Sequence, residues 1–389
     1  MKRAPTSDII WLFITTRVLL VLVTFIGFIL FPVPPHVYPV TGVNITALLT
    51  SWNHWDADKF THIAQYGYQI IDNTAFFPLF PLLIRCIAFL FGNNGYIAIG
   101  MVLSNLALLG ALFVLYQIAA DALGDQVGRR TLLYLCIFPT AFFFFTTYNE
   151  SLFLFLTTSS FLAMRRQKWW LAGILGLFAA LTRSAGVFLI FPYLFELWIS
   201  RESITTHDQS DSYRIMRLLT RALPVVLIPL GTLIYCFYCW KLFQNPLAFV
   251  AVQSHWDRHI TWPWVGLWMS LVELFWTQPF GSFNEVHLLL DLTATIGFIV
   301  LAILGWRRLR MSYNIWIGLL LFYMLISPSI GQHDVLGSNQ RFVLEMFPAF
   351  ITLAALGVKY PRFHVGLLIS FPFLQATLAM LFVLNRWMV

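Results

Sequence analysis

Five apolar runs, at 9–33, 97–120, 222–240, 286–305 and 363–384, constrain this chain more than any other feature. Each is near the roughly 20 residues that cross the hydrocarbon core of a bilayer. Only helices and closed barrels satisfy their backbone hydrogen bonds inside that core, and runs of this length and apolarity are helical. The composition agrees, with 59% hydrophobic, 17% aromatic and 11% charged residues, against about 25% charged in soluble domains. The fold class expected is an all-α polytopic membrane protein, which excludes a soluble enzyme. The first run is too long for a signal-peptide core, and no small-residue cleavage site precedes the polar segment after it, so it is expected to stay as a first span.

The net charge of +7 does not call for nucleic acid, because the basic residues sit in short clusters between apolar runs. Six such segments, around Lys2/Arg3, Arg129/Arg130, Arg165/Arg166/Lys168, Arg201 to Arg221, Arg307/Arg308/Arg310 and Lys359/Arg362, hold 16 of the 24 basic residues. Placing all six in the cytoplasm satisfies the positive-inside rule. That arrangement requires the stretch "FFPLFPLLIRCIAFLF" (76–91) not to cross fully, since a crossing there would invert every later cluster. Its two prolines and Arg85 favour a helix lying at the outer surface or dipping in and back. Eleven crossings follow, near 9–31, 96–120, 131–146, 150–164, 169–183, 185–199, 222–243, 286–305, 312–327, 341–357 and 363–384, with the N-terminus inside. Residues 1–389 form one transmembrane domain, whose outer loops are 32–95, 244–285 and 328–340 together with tight turns at 146–151 and 182–186. The segment 200–221 is expected to be a solvated cytoplasmic linker. The four cysteines lie in apolar surroundings without the polar loop or further ligands of a zinc site, and are read as packing.

Ionisable residues on the outer face are few. The segment "HWDADKFTHIAQYGY" (54–68) holds His54, Asp56, Asp58 and His62 among aromatic neighbours. On a helix from about 55 to 66, Asp58 and His62 share a face at i,i+4 while Asp56 points about 160° away from Asp58. The same four side chains resemble a ligand set for a hard divalent ion. Arg341, Arg183 and Arg258 reach the outer face as planar cations suited to phosphate. Arg183 also suits headgroup anchoring by snorkelling. Glu150 opens a span at its outer end, where capping of the helix dipole competes with substrate contact. Arg17 lies mid-span, and pairing with Asp291 or Glu345 would relieve its burial. The loop "NPLAFVAVQSHWDRHITWPW" (245–264) offers Gln253 and Trp256, the kind of edge and face that hold a sugar ring or line a membrane interface. His333 and Asp334, just before Arg341, are further lining candidates.

These motifs resemble the PIG-V family, the second mannosyltransferase of GPI-anchor synthesis and its microbial relatives. The likeness rests on the Trp-Asp pair at Trp55 and Asp56, the Ile-Ala-x-x-Gly-Tyr run, "FFPLFPLL", then "YNES" (148–151), "TRSAG" (182–186) and "QRFVLEMFPAF" (340–350) in the expected order. The resemblance implies a GT-C-type fold with about 11 transmembrane helices and surface-lying helices in the first outer loop. It also implies transfer of mannose from a polyprenyl-phosphate-linked donor to a hydroxyl of a glycolipid or glycan acceptor on the extracytoplasmic face. Asp56, at the family's Trp-Asp position, is then the general base that takes the proton of the attacking hydroxyl, with inversion at the anomeric carbon. Arg341, with Arg183 and Arg258, holds the leaving phosphate; Asp58, His62, Trp55, Glu150, Gln253, Trp256, Gln340 and His333 are the substrate-binding candidates. Relatives using lipid monophosphosugars are regarded as metal-independent, so no cofactor is expected. Two alternatives remain: a lipid-linked sugar transporter or flippase, which would favour internal repeats and a site at mid-membrane, and a GT-C enzyme for another sugar. The compact loops point to a prokaryotic plasma membrane.

Overall fold

The computed structural model describes residues 5–31, 44–201, 211–331 and 334–386. Within them the chain is helical, without strands; the loops before α10 and after α11 meet at an isolated antiparallel bridge between Arg258 and Ser329.

The helices that frame the molecule are α1 (Thr6–Leu30), α2 (Asp56–Tyr66), α3 (Leu79–Leu90), α4 (Tyr96–Leu123), α5 (Asp125–Ile137), α6 (Glu150–Arg165) and α7 (Trp169–Thr182). They continue with α8 (Ile190–Ser200), α9 (Leu227–Phe243), α10 (Phe283–Gly305), α11 (Met311–Leu325), α12 (Phe347–Lys359) and α13 (Pro361–Val383). By length and composition, α1, α4, Leu218–Phe243, α10 and α13 are fit to cross a membrane. A sixth candidate is the pair Asn339–Glu345 and α12, which meet at a bend of 87°. The remaining expected crossings coincide with shorter helices. The stretch expected at 131–146 is broken after Ile137 and resumes as a short 3-10 turn at Ala141–Phe144. Phe138, Pro139 and Thr140 supply the break, since proline has no amide hydrogen to continue the ladder. Large apolar side chains face outward along the long helices, Trp11 and Leu19 on α1 and Ile369 and Phe373 on α13 among them. That apolar belt is the surface of an integral, multi-pass membrane protein.

Small residues on α7 allow a close approach to the start of α9 and the turn before it. A β-carbon on Gly173 of α7 would lie 2.3 Å from the carbonyl oxygen of Pro224, and one on Gly176 would lie 2.6 Å from Ile228. Helices in lipid gain little from apolar burial against one another, so close backbone approach of this kind carries much of their association.

Members of the basic clusters pair with acidic residues near helix ends. Arg129 of α5 bonds Asp8 of α1 and, at 2.9 Å, Asp125. Arg310 binds Glu196 of α8 through two bonds of 2.7 and 2.9 Å, and Ser312 adds a third at 2.6 Å. The short α3 rises about 18 Å at 1.5 Å per residue, well short of a bilayer core of about 30 Å. It packs on α2 through Phe60 against Phe80, ring centroids 5.2 Å apart.

Arg17 departs from expectation. It is buried on α1, and its three guanidinium nitrogens have no hydrogen-bond partner among the described residues. Its two expected partners are occupied elsewhere: Asp291 accepts from the Gln340 amide at 2.7 Å, and Glu345 sits 2.7 Å from Arg183.

Candidate active site

A cavity of about 790 Å³ opens between the segment around α2, the start of α6, the turn after α7 and the loops around 253–258 and 327–338. Asp56 enters it from the first residue of α2. The residue before it, Trp55, adopts φ 52° and ψ −117°, a left-handed backbone that a bulky side chain takes up only when its surroundings hold it. Here the indole packs edge-on to Phe382 of α13 at 5.0 Å. This turn starts the helix at Asp56 and sends its carboxylate into the cavity while Ala57 is buried behind it.

Arg341 donates from Nη1 to Asp56 Oδ2 at 2.7 Å. Its guanidinium lies among the rings of Phe143, Tyr148 and Phe342, with centroids 5.5, 5.3 and 5.0 Å away. Its Nε is 3.4 Å from Glu150, which also takes a 2.9 Å bond from Arg183. Arg183 in turn reaches Glu345 at 2.7 Å and Asn149 Oδ1 at 2.9 Å. Two guanidinium groups and three carboxylates therefore form one buried network. Glu150 is 1% exposed and Glu345 is 5% exposed, so their charges rest on these partners and not on water.

Arg258 differs from the other two arginines. It is half-buried, donates at 3.1 Å to the Gly337 carbonyl and stacks over Phe342 at 5.3 Å, but forms no ion pair with a carboxylate among the described residues. Burial lowers its pKa from the usual arginine value, although a guanidinium stays charged in any case. It thus presents a positive charge to the cavity wall, felt by Asp56 and Asp334 only at longer range than an ion pair. Trp55, Gln253 and Trp256 share the same walls.

Other expected site residues lie elsewhere. Asp58 and His62 occupy the face of α2 opposite Asp56, as the helical angle predicts, and line a separate pocket with Asn53, Thr61 and Tyr66. There Asn53 donates to Asp58 at 3.3 Å. The ligand set suggested by His54, Asp56, Asp58 and His62 therefore does not assemble, because Asp56 is turned toward Arg341. Glu150 is not at the cavity surface: it lies beneath Arg183 and Arg341, a role as counter-ion and not as a substrate contact. Gln340 also faces away, its amide and side chain both directed at Asp291. His333 lies outside the described residues.

Asp334 lines the cavity as its position before Arg341 suggested, and two residues absent from the expected set join it: His287 on the wall and Asp291, one turn beyond His287 on α10, behind it. Burial pushes the Asp334 carboxyl above the usual carboxylate range, against the opposing pull of His287 and Arg258. The i,i+4 pair of His287 and Asp291 inside an otherwise apolar span was the available sequence signal.

The sequence profile of the family described as "Mannosyltransferase (PIG-V)" matches residues 35–268, more than half of the chain. The GPI alpha-1,6-mannosyltransferase 2 of Rattus norvegicus is 34% identical over 171 residues, covering 40% of this chain and 34% of its own length. The protein of that name from Cricetulus griseus is 26% identical over 288 residues, covering 65% of this chain and 57% of its own. The chain thus spans between a third and somewhat over half of the length of these curated relatives. Among solved structures, ArnT from Cupriavidus metallidurans bound to undecaprenyl phosphate aligns with a TM-score of 0.51 at 15% identity, over 86% of this chain and 62% of that one. This likeness shows the fold, the GT-C type expected from the motifs. By the extent of the family match, this chain belongs to the PIG-V mannosyltransferase family.

Proposed function

We propose that the protein transfers mannose from a polyprenyl-phosphate-linked donor to a hydroxyl of a glycolipid or glycan, at a cavity on the extracytoplasmic side. The observation that carries this reading is Asp56 facing a cavity that also holds Arg258, a guanidinium without an ion-pair partner among the described residues. The relatives named as mannosyltransferases supply the sugar.

The acceptor hydroxyl is a poor nucleophile near neutral pH, and a carboxylate within hydrogen-bond reach removes its proton as it attacks the anomeric carbon. Asp56 has one oxygen held by Arg341, which fixes the carboxylate's orientation and leaves the other oxygen for the acceptor. Negative charge grows on the departing polyprenyl phosphate. Arg258 suits that group better than Arg341, the first choice from the motif alone, because Arg341 is already committed to Asp56 and Glu150. A fixed guanidinium on the cavity wall stabilises the developing charge without having to reorganise. Trp55, Trp256 and Gln253 offer ring faces and an amide to the sugars. One base and one displacement give inversion of the anomeric centre.

The test supplies synthetic polyprenyl-phosphate-mannose and an acceptor extract to the purified protein in detergent. A labelled mannoside with inverted configuration by NMR is expected. Recovery of intact donor alone, together with donor movement across proteoliposome membranes, would replace the enzyme by a transporter.

A further inference from the structure

The site reading leaves one cluster without a task. His287, Asp291 and Asp334 bring a ring nitrogen and two carboxylate oxygens within 4.8 Å of one another. His287 and Asp291 are one turn apart on the same face of α10, and Asp334 arrives from the outer loop that also carries Gly337, the acceptor for Arg258. The separations are 3.8 Å from His287 Nε2 to Asp291 Oδ2 and 3.5 Å from His287 Nδ1 to Asp334 Oδ2. Both exceed the ordinary hydrogen-bond range of about 2.7 to 3.2 Å. These two contacts use opposite nitrogens of the ring, only one of which binds a given ion; one nitrogen and one oxygen of each carboxylate lie within 4.8 Å of one another, and a side-chain adjustment of about 1 Å brings them to the roughly 3 to 4 Å that separates ligand atoms around a divalent ion at about 2.0 to 2.2 Å.

Charge points the same way. Asp291 is fully buried and Asp334 is 17% exposed, and no lysine or arginine lies within ion-pair distance of either carboxylate among the described residues. Two carboxylates shared by a single imidazole in such a setting leave a negative excess that burial opposes. A bound dication neutralises it. The surroundings also resemble the outer sphere of a metal site, in which ligands are themselves held by hydrogen bonds. The Gln340 amide fixes the second oxygen of Asp291 at 2.7 Å, while Asn339 donates at 3.0 Å to Thr295, whose hydroxyl bonds the Asp291 carbonyl at 2.7 Å. Asp334 Oδ1 is buried without a hydrogen-bond partner. His287 and Asp334 lie on the cavity wall, so a bound ion would keep coordination positions open toward it.

We propose that His287, Asp291 and Asp334 bind one divalent cation of the zinc and manganese class at the wall of this cavity. The imidazole selects against magnesium and calcium, which prefer oxygen alone. This departs from the metal-free expectation drawn from the family resemblance. That the ion then faces the donor phosphate beside Arg258 rests on the proposed function; the binding site itself does not.

The experiment therefore reads metal and not transfer. Full-length protein purified through a tag without histidines is stripped with chelator, loaded with Zn²⁺ or Mn²⁺, desalted and analysed for metal per chain by mass spectrometry. About one ion per chain is expected in the intact protein and background levels in Asp334→Asn and in His287→Gln. An Asp58→Asn/His62→Gln variant, altered in the other pocket, should retain the full amount. Zn²⁺ should also raise the melting temperature of the intact protein and leave that of Asp334→Asn unchanged, which separates loss of the site from loss of the fold. Background metal in the intact protein, or equal retention in Asp334→Asn and His287→Gln, overturns the proposal. Metal bound as expected in a protein that transfers no mannose would count against the functional reading and leave the site standing.

Discussion

Replacing Arg183 by glutamine should destabilise the protein more than replacing Glu150, although the two side chains share a single 2.9 Å bond. The reason is the charge count of the buried network. Arg183 and Arg341 face Asp56, Glu150 and Glu345, so the network carries one negative charge in excess. Glu150→Gln removes that excess and leaves each arginine one carboxylate, Asp56 for Arg341 and Glu345 for Arg183. Arg183→Gln raises the excess to two and strips Glu345 of its 2.7 Å partner. Removing one member of a buried pair costs about 3 to 5 kcal/mol, and Arg183→Gln belongs in that range. Glu150→Gln should fall below it. Asp8→Asn, which breaks a bond to the half-exposed Arg129, sets the surface reference at about 1 kcal/mol or less. Reversible unfolding in mixed detergent and SDS micelles measures all three, and the double variant Arg183→Gln/Glu345→Gln should recover part of the single loss. The reasoning is refuted if Arg183→Gln costs no more than Asp8→Asn, or if the double variant is worse than the sum of its parts.

Further outcomes follow from the same geometry. Arg258→Gln should weaken the KM for the lipid-linked donor by roughly 10- to 100-fold, the worth of about 1.5 to 3 kcal/mol for a hydrogen bond to a charged group, with a smaller change in KM for the acceptor; steady-state kinetics with each substrate varied checks this. Asp58→Asn should leave kcat/KM within about twofold in the same assay, because Asp58 faces the other pocket. Gly173→Ala should cost about 1 to 3 kcal/mol in the unfolding assay by driving a methyl group into the Pro224 carbonyl, with transfer per folded molecule unchanged.

The membrane class and most helices were legible because apolar runs of bilayer length have few alternatives. The divergence of Asp56 from Asp58 was legible too, since it follows from helical angle alone and the helix begins within a residue of where it was expected. What the sequence hid depends on which helices touch. Glu150, Arg183 and Glu345 are far apart in the chain and become one network only when α6, the turn after α7 and the bend before α12 pack together. For the same reason Glu150 read as a cap or a substrate contact, and Arg341 as the natural phosphate ligand, before their mutual neutralisation was visible. Arg258 gains its place from the bridge to Ser329, a pairing between two loops that no local pattern announces. The stretch 131–146 was already short for a full crossing and open to a break, but the place of the break after Ile137 was not legible, because length and hydropathy do not register a proline that ends a helix within a phenylalanine-rich run.

The central claim is that the Asp56 carboxylate performs proton transfer and does not merely hold the donor. Binding of synthetic polyprenyl-phosphate-mannose, followed by quenching of intrinsic tryptophan fluorescence, and single-turnover mannose transfer should be measured side by side for the intact protein and Asp56→Asn. The account predicts a donor Kd within a few-fold of the intact value and transfer reduced by about 10²- to 10⁴-fold, the range a positioned general base contributes. Transfer by Asp56→Asn at close to the intact rate, with the fold and donor binding preserved, would contradict it.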